Sequence, residues 1–95
     1  MEWIKIIQAD QIDHLKLHIT FNDGLNGVLD FSPVADGGVL RNLQDSVFFQ
    51  KFEIVRNGRA IEWPGGIDFC ADALHQDIFE TKYANQSTLL SATNK

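Results

Sequence analysis

Apolar residues occupy every second position between His14 and Phe21. Leu15, Leu17, Ile19 and Phe21 fall on one side, with His14, Lys16, His18 and Thr20 on the other. Such alternation sets one face against a core and the other in water, so a half-buried strand is predicted. Asn22-Asp23-Gly24 is a turn signal, and Leu25, Leu29 and Phe31 return in phase, which makes the two runs a β-hairpin. Upstream, Trp3 to Ile7 is a short apolar run compatible with a strand, and the polar stretch Gln8 to Asp13 reads as a connection. Ser32-Pro33 closes the hairpin, because proline has no N–H to give to a ladder.

The pattern then loses its period. Val34 to Asn42, with Asp36-Gly37-Gly38, reads as a loop of little regular structure. Asp45-Ser46 offers a cap to a short helix carrying Phe48 and Phe52 four positions apart, on one helical face. Glu53 to Arg56 is strand-like, Asn57-Gly58 is a two-residue hairpin turn, and Arg59 to Trp63 is the return strand. Trp63-Pro64-Gly65-Gly66 makes a corner: proline fixes φ and the glycines permit positive φ. Asp72 is placed to cap a last helix from Ala73 to about Tyr83, with Leu74, Ile78 and Phe79 as its apolar stripe. Asn85 to Lys95 is rich in Gln, Ser, Thr and Asn and is expected to be a mobile tail. Two hairpins with one or two short helices define a small antiparallel α+β domain over residues 1–84, with the tail over 85–95.

Charge narrows the range of partners. The 95 residues carry a formal charge of -5, which disfavours direct binding to a nucleic-acid backbone. Between Ala60 and Thr81 the acids Glu62, Asp68, Asp72, Asp77 and Glu80 stand without a lysine or arginine among them. That stretch is either a solvated surface or a face for a basic partner. Arg56 and Arg59 flank the Asn57-Gly58 turn and form only a small basic tip. Cys70 is alone, so no internal disulfide is expected, and a lone cysteine is usually a small buried hydrophobe. No apolar run approaches the roughly 20 residues of a membrane span, and Met1-Glu2-Trp3-Ile4-Lys5 lacks the form of a secretory leader, so the expectation is a cytoplasmic protein.

Few residues invite chemistry. His14 and His18 would share a helical face, but on a strand they stand roughly 13 Å apart, too far for one ion. No metal or cofactor is expected. Asp30, Asp68 and Asp72 are the carboxylates that an acid–base mechanism would use, although spacing alone establishes neither placement nor acidity. Asp72 has a plainer role as a cap, and Asp68 as an acceptor of backbone N–H groups around the corner. Ser32, Ser46 and Ser87 lack a nucleophile-elbow context, and neither Gly-Gly pair has phosphate-loop spacing. Trp63 fits a core position by its alternation with Ile61, yet an aromatic at a turn also suits an interface. Trp63, Pro64, Gly65, Gly66, Asp68 and Asp72 are therefore the candidate interaction surface, and no catalytic residue is assigned.

The order of these features resembles a bacterial family, domain of unknown function 2442. The matching segments are Leu17-His18-Ile19-Thr20-Phe21-Asn22-Asp23-Gly24, then Leu29-Asp30-Phe31, then Leu43-x-Asp45 leading to Phe48, Phe49 and Phe52. The most specific is Ile61-Glu62-Trp63-Pro64-Gly65-Gly66-Ile67-Asp68, followed by Leu74, and the likeness covers roughly residues 2 to 76. It implies a small α+β domain. It also implies a partner, since genes of this family often sit beside a second small family, domain of unknown function 4160, in an arrangement resembling toxin–antitoxin pairs. Some longer relatives carry a helix-turn-helix after this domain, and none is expected here, since the sequence runs only to Lys95. Three readings follow: an antitoxin-like protein-interaction module, a sensory or dimerisation domain active as a homodimer, and a small enzyme using Asp30 and Asp68. The first is preferred, and no catalytic residue carries over from the family.

Overall fold

A computed structural model describes residues 3–35 and 37–83. Strand β1 (Ile6–Asp13), strand β2 (Lys16–Phe21) and strand β3 (Asn26–Asp30) form an antiparallel sheet in the order β1-β2-β3. The alternation read in the sequence explains why β2 is central: Leu17, Ile19 and Phe21 are fully buried, while Lys16, His18 and Thr20 between them are half-buried. Leu29 pairs with Leu17 and completes the inner face from β3.

Gln8 to Asp13, read as a connection, is most of β1. Its polarity is that of an edge strand, paired with β2 on one side and largely exposed. The register shifts between Ile6 and Gln8 and again between Gln11 and Asp13. Bulges and charged residues of this kind blunt an edge. Trp3 to Lys5 precedes the strand and is held by Asn22, whose backbone N–H donates to the Lys5 carbonyl at 2.9 Å, and by Ile4 packed against the core. Asn22 Nδ2 donates to the Trp3 carbonyl at 2.9 Å, and the Lys5 N–H donates to Asn22 Oδ1 at 2.9 Å.

The second sheet has the order β4-β5-β6, from strand β4 (Glu53–Val55), strand β5 (Ala60–Trp63) and strand β6 (Ile67–Cys70). Strand β6 escapes a reading by pattern because four residues with exposed Asp68 and Cys70 give too short a period. Its presence corrects two expectations. Asp68 lies within a strand and does not fold back onto the corner, and Cys70 is exposed on that strand where a buried thiol was expected. Each predicted hairpin thus gains a third strand, and the α+β class stands as two three-stranded sheets with one main helix.

The stretch read as an irregular loop contains a 3-10 segment over Gly38–Gln44, anchored by fully buried Leu43. Asp45 caps helix α1 (Ser46–Phe49) as expected, its carboxylate accepting from Val47 N–H at 2.9 Å and Phe48 N–H at 3.3 Å. Helix α2 (Ala71–Tyr83) begins before Asp72, so Asp72 sits in its first turn and is not the cap. Ala71, Leu74 and Ile78 are its buried stripe. Helix α2 packs on β3 and β6 and so spans both sheets, while β1 approaches β4. The expected tail over 85–95 lies outside the described residues.

Trp63 holds the middle of the core at 1% exposure. Its ring stacks on Phe49 at 5.5 Å and meets Phe31 and Phe69 edge-on at 5.5 and 5.8 Å. Its indole Nε1–H donates to the Phe49 carbonyl at 2.8 Å. A buried indole needs such a partner, and aromatic pairs prefer these offset and edge-to-face geometries. The Asn57-Gly58 turn is a 3-10 turn over Arg56–Gly58 with Asn57 at φ 57°. Gly58 has φ +90°, and a Cβ there would stand 2.7 Å from the Ile6 carbonyl oxygen. We expect Gly58→Ala to destabilise the domain by roughly 1–3 kcal/mol, read from urea midpoints, because φ and space both oppose a side chain.

Candidate functional site

The connection between β5 and β6 is Pro64-Gly65-Gly66. Gly65 and Gly66 have φ +93° and +88°, and a Cβ at either would meet nothing within 4 Å. Backbone conformation, not crowding, therefore requires these glycines. Pro64, Gly65 and Gly66 are exposed, whereas the Trp63 ring is turned inward. Of the six candidate surface residues, Trp63 is thus removed by its burial and acts as the floor beneath the corner.

Register brings together a set of acids that sequence reading missed. Glu53 pairs with Glu62, and Glu62 with Asp68, so three carboxylates form one row across β4, β5 and β6. Directly paired residues share a sheet face, and the neighbours Ile61 and Trp63 face the core, so this row faces outward. Asp68 has an ion pair with Arg56 at 3.5 Å. Neither Glu53 nor Glu62 has an ion-pair partner among the described residues. Like charges directly opposed across strands are destabilising. A shallow pocket of about 220 Å³ opens at this end of the sheet, lined by Lys51, Glu53, Glu62, Trp63, Pro64 and Gly65. Glu53 is far from the corner in sequence, and only the pairing of β4 with β5 reveals it.

The other candidate acids are engaged where they stand. Asp72 receives both guanidinium nitrogens of Arg59, at 3.2 and 3.0 Å. Those hydrogen bonds hold its carboxyl below the ordinary value, outweighing the opposing effect of burial, and the charges of Arg59 and His75 add to the lowering. For Asp30 burial is the largest influence and raises its pKa. The Ser32 N–H at 2.9 Å, the Ser32 hydroxyl at 2.7 Å and the charge of Lys16 reverse it, so the carboxyl ends below the ordinary value. A general acid would need the opposite shift. Asp30, Asp68 and Asp72 lie on different elements, each with its own local partner.

His18 Nε2 lies 3.2 Å from Asn26 Oδ1, and the His14 N–H donates to Asp13 Oδ1 at 2.7 Å. Among the described residues no group of three or more His, Cys, Asp or Glu is placed to hold a metal ion. His75 has a structural partner that the sequence did not announce. Its Nε2 lies 2.8 Å from Asp23 Oδ2, and its ring meets Phe21 edge-on at 4.9 Å. That contact ties α2 to the turn between β2 and β3.

A fold of two small sheets with this aromatic corner defines the class. A family model, described as a protein of unknown function (DUF2442), matches residues 6–80, and the chain belongs to that family. No curated protein and no solved structure matches it. Among the described residues no helix is long and apolar enough to cross a membrane.

The turn acid Asp23 gives a dependence on pH. The Leu25 N–H, then the hydrogen bond to His75, keep its carboxyl below the ordinary value of 3.8, against a smaller opposing effect of burial. The unfolded chain therefore binds more protons just below pH 3.8, and stability rises with pH there. The contribution is complete above the unfolded value and is lost as the pH falls through the folded one. Asp23→Asn is expected to flatten that acid limb in urea midpoints collected from about pH 2 to 6. An unchanged limb would show that Asp23 carries none of it.

Proposed function

We propose that the chain is a non-catalytic protein-interaction module, antitoxin-like, that binds a small partner protein through the outward face of its second sheet. The carrying observation is the row Glu53, Glu62 and Asp68, two of whose members are opposed like charges without a cation. Such an arrangement costs the free domain stability and suits a partner that supplies the missing positive charge. The exposed Pro64-Gly65-Gly66 corner and the pocket beside Glu62 add a shaped feature to the charge. On this reading the partner presents an arginine- or lysine-bearing surface. The small protein encoded next to family members, of the domain of unknown function 4160 kind, is the first to test.

Co-expression with that neighbour, followed by size-exclusion chromatography with light scattering, tests the reading. A stable hetero-complex is expected, and the joint change Glu53→Lys, Glu62→Lys is expected to weaken it at least about tenfold. A chain that elutes apart from the neighbour at high concentration, or a complex indifferent to the reversal, sinks this reading.

The opposed pair also predicts a trade-off. Glu62→Gln should stabilise the free domain by roughly 0.2–1 kcal/mol in urea unfolding, by removing one of the opposed charges. The same change should loosen the complex, since stability and recognition draw on that residue in opposite directions.

A further inference from the structure

Strand β3 is an edge of the first sheet: it pairs with β2 and with no second strand among the described residues. Its ladder fixes which main-chain groups look outward. The Phe21 N–H donates to the Leu25 carbonyl at 2.9 Å, and the Phe31 N–H donates to the Leu15 carbonyl at 2.7 Å. The pairs between them keep one register, so Leu25, Gly27, Leu29 and Phe31 turn their main-chain groups toward β2. Asn26, Val28 and Asp30 turn theirs away, and none of those N–H and carbonyl groups has a partner among the described residues. Leu29 is in the core that α2 helps to cover, whereas Val28, on the opposite face, is 48% exposed. Unlike β1, this edge has no register shift, and neither lysine nor proline interrupts it. An open and regular edge is a template for one more strand.

We propose that this edge pairs with β3 of a second copy of the chain, antiparallel about a two-fold axis at Val28. Charge selects that register. With Val28 opposite Val28, Asp30 of each copy faces Asn26 of the other, whereas an in-register parallel pairing sets Asp30 beside Asp30. Asp30 Oδ1 accepts from the Ser32 N–H and hydroxyl, and Oδ2 has no hydrogen-bond partner among the described residues. Asn26 Nδ2 gives one hydrogen to the Gly24 carbonyl and keeps the other. Each end of the pairing thus sets an amide donor against a carboxylate acceptor. On the inner face Gly27 of one copy lies opposite Leu29 of the other, where the missing side chain leaves room for close approach. Three outward residues on each copy give about six main-chain hydrogen bonds. The product is a single sheet with β1 at both ends, so the pairing closes at two copies. A strand of five residues makes a small interface, and the association is accordingly weak and governed by concentration. It uses the first sheet alone and does not rest on the reading of the Glu53–Glu62 row.

Analytical ultracentrifugation of the full chain over a concentration series tests the pairing. Monomer passing into dimer is expected, with nothing larger. Val28→Lys sets two cations at the axis, and Val28→Pro removes an N–H that β2 does not use, so both variants are expected to stay monomeric over the same range. Should Val28→Pro fail to fold, Val28→Lys decides alone. Amide exchange read by NMR is expected to show protection of the Val28 N–H rising with concentration while that of Gly27 and Leu29 holds constant. Asn26→Asp opposes two carboxylates at both ends of the pairing and is expected to weaken the dimer roughly two- to thirtyfold, and joining it to Asp30→Asn is expected to restore the dimer. A chain that is monomeric throughout, or a dimer indifferent to the Val28 changes, overturns the proposal. Weakening by Asn26→Asp that the swap does not repair overturns the antiparallel register. The Glu53→Lys, Glu62→Lys chain should dimerise as the wild type does, so failure of this pairing is separable from failure of the hetero-complex.

Discussion

One buried polar contact sets the terms for the rest of the fold: the Trp63 indole N–H on the Phe49 carbonyl. It joins the last residue of β5 to the last residue of α1 and satisfies the donor of the largest buried side chain. With that bond made, the ring is oriented to stack on Phe49 and to receive Phe31 and Phe69 at its edges. Phe31 follows the first sheet and Phe69 lies in the second, so one indole organises contributions from both. Small domains bury a limited fraction of their surface, and concentrating aromatic area around one centre is an efficient answer to that limit.

Charge is divided between fastening and exposure. Arg56 and Arg59 neutralise Asp68 and Asp72 and so link the β4–β5 turn to β6 and to α2. His75, with its Nε2 2.8 Å from Asp23 Oδ2, links α2 to the turn between β2 and β3. Glu53 and Glu62 receive no such partner among the described residues, although Lys51 lines the same pocket. The contrast gives the row its meaning: elsewhere the acids serve the fold, while these two work against it.

Much of the architecture was legible in the sequence, because it depends on local rules. The alternation through Leu17, Ile19 and Phe21 gave β2, Asp45 gave the cap of α1, and the Leu74 and Ile78 spacing gave the face of α2. What was missed depends on partners distant along the chain. The polar strand β1 is a strand only because β2 offers it a ladder. Strand β6 is too short to show a period, and Cys70 is exposed because that strand carries it outward. The site divides in the same way. Trp63 and the corner glycines were visible as a motif, whereas the Glu53–Glu62–Asp68 row exists only through the register of three strands.

The two irregularities in β1 bear on how the domain behaves in company. A regular edge strand is a template to which another chain can add, and identical copies can repeat the addition without end. Here the ladder shifts after Ile6 and after Gln11, Asp10 lies between the shifts, and Gly58 is packed against the Ile6 carbonyl at the strand's entrance. Backbone growth therefore finds no uninterrupted row of donors and acceptors to copy. The edge is shaped against the addition of a further strand, which keeps identical copies from stacking through it.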